Sequence, residues 1–391
     1  MIDRLDDSLG DAIEWLTEIG PEIDPSANSE SDSDFDSNPD SESGSDSESE
    51  AADSASNAAS RDGAVPRSDG GRETDPSGAQ AAADWEEADS PTSRTLHGVV
   101  HGADGAYACG EGGILLHRRD DGWQTLIERG PGVADNTLRT IDATADGCRL
   151  WFAGDSGALG YYDVADGYLS DYSAPGEKTS TWEGIAVSGP TGEERIRIAN
   201  GSGEVLDCTV EDGCPAWGDV VEPGGGSTIP GLTAGPDGFY AIDTSGGAYY
   251  ADANGEWERI GVRNAEVDFY DIWAGDETVF VAGADGVAYR YDPRCENWTP
   301  INVGQGALQS IQVDEGSNTA VAVATGGRVY ERIESIRWEE RDTPTEQSLL
   351  DLALARQRSD DEGLATVPVD IAVGAGGTVL ERHRDRSDTT D

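Results

Sequence analysis

The chain has 391 residues, with 78 acidic against 26 basic side chains and a formal charge of −52. It lacks the clustered cations that phosphate binding needs, which excludes nucleic acid and anionic membrane surfaces as partners. It contains no uninterrupted run of about 18 apolar residues, so no membrane insertion is expected.

The first 20 residues place Leu5, Leu9, Ile13 and Leu16 at three- and four-residue spacing, which predicts an amphipathic helix ended by Gly20 and Pro21. The opposite face carries Asp3, Asp6, Asp7, Asp11, Glu14 and Glu18 against Arg4. That sign is wrong for a membrane surface and acceptable for a groove on another protein, so the four apolar residues form a candidate partner-binding set. A helix that docks on its own chain is the alternative. Residues 21–83 are dominated by Ser, Asp, Glu, Ala and Gly, too poor in apolar side chains to offset the entropy of ordering. They are predicted to be a disordered linker spanning on the order of 45 Å.

From Asp84 the chain repeats, and three signals each mark the repeat. Tight turns end at Gly113, Gly157, Gly203, Gly246, Gly286, Gly327 and Gly377, as in Phe152-Ala-Gly-Asp-Ser-Gly157 and Val281-Ala-Gly-Ala-Asp-Gly286. Glycine is required there because such turns demand positive φ. Upstream of each lies an apolar-x-x-apolar pair: Leu96/Val99, Leu138/Ile141, Trp182/Ile185, Ile229/Leu232, Phe269/Ile272, Leu308/Ile311 and Leu349/Leu352. Downstream of the first six turns comes an aromatic residue: Trp123, Tyr168, Trp217, Trp257, Trp298 and Trp338. The seventh has none. The missing aromatic sits at the other end, where Trp85-Glu-Glu-Ala-Asp-Ser-Pro-Thr92 matches Trp338-Glu-Glu-Arg-Asp-Thr-Pro-Thr345.

Four strands per unit, seven times over, predict an all-β, seven-bladed β-propeller over residues 84–391, its last blade completed by a strand near Trp85. The third unit is the irregular one. Asn200-Gly-Ser-Gly203 replaces the usual turn, and the stretch from Glu211 to Gly226 reads as an inserted loop. Of the five cysteines, only Cys208 and Cys214 flank a turn that might pair them, and none shows the paired spacing of a zinc site.

The stretch Phe280-Val-Ala-Gly-Ala-Asp-Gly-Val-Ala-Tyr-Arg-Tyr291, followed by Trp298, and Ala372-Val-Gly-Ala-Gly-Gly-Thr-Val-Leu-Glu381 resemble repeats of the photosystem II assembly factor type and of the wider sialidase-like, Asp-box propellers. The resemblance covers Trp85 to about Arg384 and departs from the Asp box itself, of which Asp252-Ala-Asn-Gly-Glu-Trp257 is a shortened copy. It implies the fold and an assembly-factor role without naming a ligand. The acidic composition, with Lys178 the only lysine, resembles that of extreme halophiles. A haloarchaeal, cytoplasmic protein is expected, consistent with the absence of a basic-then-apolar opening segment.

The binding candidates lie where turns and inner strands meet at one mouth of the channel. They are Glu111, Asp155 and Asp285 from the turns, and His97, Arg139, Glu183, Tyr270 and Gln309 from between the paired apolar positions. A mixed polar and aromatic rim suits a peptide or protein partner, and a plain hydrated funnel is the alternative. No catalytic set, metal site or cofactor is expected; His97 and His101, about 13 Å apart along a strand, cannot share a metal. The expected function is a non-enzymatic interaction scaffold. The competing reading is a sialidase-like, glycan-acting or other small-molecule enzyme, of which the sialidase-like form needs several arginines beside a Tyr and Glu pair at the channel mouth.

Overall fold

The computed structural model describes residues 84–133, 135–252, 255–262, 267–355 and 369–384. The helix expected over residues 1–20, with Leu5, Leu9, Ile13 and Leu16, and the linker over residues 21–83 lie outside them. The described residues form seven four-stranded antiparallel sheets. Six run in sequence order from inner to outer strand. Blade 1, for example, comprises Leu96–His101, Ala106–Gly110, Ile114–Arg119 and Gly122–Ile127. Blade 7 takes its outer strand, Glu86–Glu87, from the N-terminal side, paired with Val379–His383. The inner strands pack side by side in a closed ring, blade 7 against blade 1, so no inner edge is left open to another chain. Among the described residues, no helix is long and apolar enough to cross a membrane.

The seven turn glycines all have φ between 71° and 80°, the region where a Cβ is strained. Six of them, Gly113, Gly157, Gly203, Gly286, Gly327 and Gly377, also lie under the chain that follows an outer strand. A Cβ on Gly327 would sit 2.1 Å from the Thr345 carbonyl oxygen, and one on Gly377 would sit 2.1 Å from that of Thr92. Thr92 and Thr345 are equivalent in the Trp85 and Trp338 segments, so the closing strand reproduces the internal repeat down to a single backbone contact.

The core lies between blades. One apolar layer joins Val99 and Leu116 of blade 1 to Ile371 and Val373 of blade 7, and another sets Trp85 among Val321, Leu349 and Leu380. The closing seam is also clamped by charge. Glu381 accepts two hydrogen bonds from Arg118, at 2.8 and 2.9 Å, and one from the Trp123 indole at 2.8 Å.

Three local expectations are corrected. Half of the stretch from Glu211 to Gly226 is the outer strand of blade 3, Cys214–Val221. Its register sets Cys208 opposite Trp217 and Cys214 opposite Glu211, and both thiols are free. Tyr168 does stand on the outer strand of blade 2 but is 69 % exposed. Tyr172, one residue past that strand, packs instead against Trp151 and Tyr161, in the layer between blades 2 and 3. In blade 3 the altered turn is held by Asn200, whose buried side-chain oxygen accepts the N–H groups of Ser202 and Glu204.

Candidate functional site: the turn-face mouth of the channel

The inner strands are interrupted at one repeated place. Pairing with the second strand shifts register between Leu96 and Gly98, Leu138 and Thr140, Trp182 and Gly184, Phe269 and Asp271, Leu308 and Ser310, and Leu349 and Asp351. The skipped residue of such a bulge is unpaired and its side chain is re-aimed. The skipped residues are His97, Arg139, Glu183, Tyr270, Gln309 and Leu350, and all six line the central channel, a cavity of about 470 Å³. In blade 4 the place is taken by Pro230, which has no N–H to pair, and the strand starts only at Gly231.

The turns are tied to the same mouth. In six blades the N–H of the first turn residue donates to the carbonyl just before the inner strand, as Asp155 does to Thr137 and Glu111 to Thr95, both at 2.9 Å. Arg139 donates from Nε to Asp155 at 2.6 Å and lies 3.7 Å from Glu183. Burial alone would lower the Arg139 pKa; Asp155 and Glu183 outweigh it and raise it. Burial raises the Glu183 pKa against the pull of Arg139, with Asp155 adding to the rise. Burial and then the Arg139 charge push His97 below the usual imidazole range, opposed by Glu111 and Asp155, which favours the neutral ring with a free acceptor nitrogen. Across the mouth, Tyr270 is held protonated by burial and by Asp268 and Asp285.

One residue deeper, blades 5, 6 and 7 carry Asp271, Ser310 and Asp351. The Ser310 Oγ lies 2.8 Å from Asp271 Oδ2 and 3.0 Å from Asp351 Oδ1. A hydroxyl has one proton to donate, so both contacts are hydrogen bonds only when one carboxyl is protonated and donates to Ser310. Asp351 is that group. Burial and then the Asp271 charge push it up to about 7 against the opposing backbone N–H of Val99 and Leu352. Asp271 is also raised by burial. Each carboxylate reaches the neighbouring inner strand, Asp351 accepting from Val99 at 2.8 Å and Asp271 from Ile311 at 2.9 Å. Asp142 does the same for Val187 at 2.7 Å. These acids therefore latch blades together while facing the channel.

The structure thus brings His97, Arg139, Glu183, Tyr270 and Gln309 into one mouth, with Asp155 joined to them through Arg139. Glu111 turns back to accept the Thr95 N–H at 3.0 Å, and Asp285 stands exposed on its turn at φ 58°. Neither lines the channel. Sequence reasoning missed Asp271, Ser310 and Asp351. Their signal was present in Phe269-Tyr-Asp-Ile272, Leu308-Gln-Ser-Ile311 and Leu349-Leu-Asp-Leu352, where a polar residue fills the second place between the apolar pair that blades 1, 3 and 4 give to glycine. Among the described residues, the channel lining holds a single arginine, Arg139, so the arginine cluster of a sialidase-type site is not assembled there.

No protein-family model and no curated protein matches the chain. Solved structures do match it in fold. A catalytically inactive virginiamycin B lyase from Staphylococcus aureus with quinupristin is 11 % identical, with a TM-score of 0.63 over 77 % of this chain and 99 % of that one. YCF48 bound to D1 peptide is 14 % identical, with a TM-score of 0.60 over 78 % of this chain and 97 % of that one. YCF48 from Cyanidioschyzon merolae gives 14 % and 0.60 over 77 % and 99 %. The resemblance to propellers of the assembly-factor type stands, at the level of the fold.

Proposed function

We propose that the propeller is a non-enzymatic binding module that takes a polypeptide segment across its turn-face mouth. The observation that carries this is the set of six repeated bulges, which turn six different side chains into one mouth. The charged groups Arg139 and Glu183 stand on blades 2 and 3 beside the neutral His97 of blade 1, and Tyr270, Gln309 and Leu350 belong to blades 5, 6 and 7. A similarly folded propeller has been solved with a peptide bound, which supports the reading without fixing the ligand. In this proposal the segment 1–20 docks a second partner through Leu5, Leu9, Ile13 and Leu16, and 21–83 acts as the tether, raising the effective concentration of one partner near the other. The −52 charge supports a haloarchaeal, cytoplasmic setting.

Affinity capture from native high-salt lysate tests both halves. An Arg139→Ala, Tyr270→Ala double variant is expected to lose one set of partners, and deletion of residues 1–20 a different set. Unchanged partners in either case overturn that half of the proposal.

A further inference from the structure

The strand turns opposite the channel mouth carry a second cleft, of about 340 Å³, between blades 5 and 6. Its walls include Arg290, Arg294 and Arg332 together with Glu277, Asp292 and Glu334, and Phe280 lines it as well. Phe280 is fully buried and pairs directly across the sheet with Arg290. The Arg332 guanidinium lies 5.5 Å from the centre of the same ring, so two arginine stems converge on one aromatic floor.

Of the acids of the cleft, Glu277 and Asp292 pair with Arg294 and not with Arg290 or Arg332. Arg294 at the rim pairs loosely with Glu277 at 3.7 Å and Asp292 at 3.9 Å. Arg332 donates to the backbone and side-chain oxygens of Asn318, at 2.9 and 2.8 Å, both neutral acceptors. Neither Arg290 nor Arg332 makes an ion pair within 4.0 Å among the described residues. Burial lowers the Arg332 pKa, and the charge that adds to this is Arg290, which lines the same cleft. Each guanidinium has five N–H donors in a fixed fork, so Arg290 and Arg332, without a directly paired carboxylate, keep donors for a third group in the cleft.

We infer that this cleft binds a compact oxyanion, a phosphate or carboxylate group, held between Arg290 and Arg332 over Phe280. Guanidinium forks match such oxygens with paired, charge-assisted hydrogen bonds, and the aromatic floor excludes water from one side. The site lies on the opposite face from the proposed peptide-binding mouth and does not depend on that function.

The test is titration of the full chain with inorganic phosphate, and in a parallel arm with malonate, against potassium chloride at equal ionic strength, followed by calorimetry. Saturable binding of phosphate, malonate or both is expected; phosphate alone identifies a phosphoryl ligand, and both a general oxyanion site. The Arg290→Gln variant, checked for native near-ultraviolet circular dichroism, is expected to bind about tenfold more weakly or worse. Arg139→Gln, at the other face, is expected to bind as the parent does. Absence of saturable binding by the parent chain, or equal binding by Arg290→Gln, overturns the inference. Should Arg290→Gln fail to fold, Arg294→Gln at the rim replaces it, with a weaker loss expected and no loss counting against the site.

Discussion

Replacing Asp351 by asparagine separates the carboxyl's shape from its charge. In the unfolded chain the group titrates near 3.9, and in the fold near 7. Between those values the folded state binds more protons than the unfolded one, so its stability falls as pH rises through that window. A shift of this size corresponds to about 4 kcal/mol well above pH 7. Water in the open channel screens part of it, which leaves about 2 kcal/mol. In Asp351→Asn the amide oxygen still accepts from Val99 and the amide N–H still reaches Ser310, while the bond from Leu352 is lost, at about 1 kcal/mol at every pH. The parent is thus the more stable near pH 5 and the variant near pH 9, with crossing melting curves. The swing is about 4 °C in melting temperature, since about 2 to 4 °C corresponds to 1 kcal/mol in somewhat smaller domains. Melting both proteins by tryptophan fluorescence at constant molar salt between pH 5 and 9 tests this, because the titrating groups other than Asp271, which is coupled to Asp351, are common to both and cancel. A difference that stays flat across that range refutes the proton assigned to Asp351 in its contact with Ser310.

The turn glycines differ in what surrounds them. Gly377→Ala, at φ 77° with Thr92 O 2.1 Å from the new Cβ, is expected to cost about 3 kcal/mol or more, while Gly213→Ala, at φ 80° in open space, is expected to cost about 1 kcal/mol. Denaturant melts give both values. Trp85→Ala empties the layer between blades 6 and 7 and removes the ring under Arg382, 4.9 Å away; about 3 to 5 kcal/mol should be lost in the same assay. Burial alone would raise the Glu381 pKa, but Arg118 and Trp123 prevail and hold it below the usual range. Its contribution is therefore full above the unfolded pKa and lost as pH falls through the folded one, and Glu381→Gln should cost about 2 kcal/mol at neutral pH and flatten the acid limb of the stability curve. For a charge of −52, the haloarchaeal reading requires loss of native circular dichroism below about 0.5 M salt, and a fully folded chain in dilute buffer would contradict it.

The features that were legible in the sequence are those that recur under one physical demand. Positive φ at Gly113 and its six counterparts, and a buried apolar pair on each inner strand, are imposed afresh in every blade, so they survive as a countable pattern. Trp85 could be placed because its segment repeats Trp338 and its neighbours. The bulges were not legible. They change the direction of His97 or Gln309 without changing the apolar spacing around them. The chain from Asp271 through Ser310 to Asp351 joins three blades, and each member looks like filler until the inner strands are set side by side. Tyr168 misled because spacing identified the right strand, while the aromatic that packs is Tyr172, four residues on, in the layer between blades 2 and 3.

The two faces of the propeller use charge in opposite ways, and the difference bears on how each recognises a ligand. At the channel mouth, Arg139 is already held by Asp155 and Glu183, so an incoming segment must exchange one neutralised pair for another and gains little from charge alone. Neutral His97, Tyr270 and Gln309 then supply directional hydrogen bonds, which suits a polypeptide backbone. In the cleft between blades 5 and 6, Arg290 and Arg332 have no directly paired carboxylate to displace, so an anion there gains contact with them without breaking an ion pair, against the opposing charge of Glu277, Asp292 and Glu334 at the same cleft. At molar salt the Debye length is only about 3 Å, and long-range steering by the acidic surface is screened out at both sites. Recognition then rests on groups in direct contact. A re-aimed ring of side chains provides such contact at the mouth, and two convergent guanidinium groups provide it in the cleft.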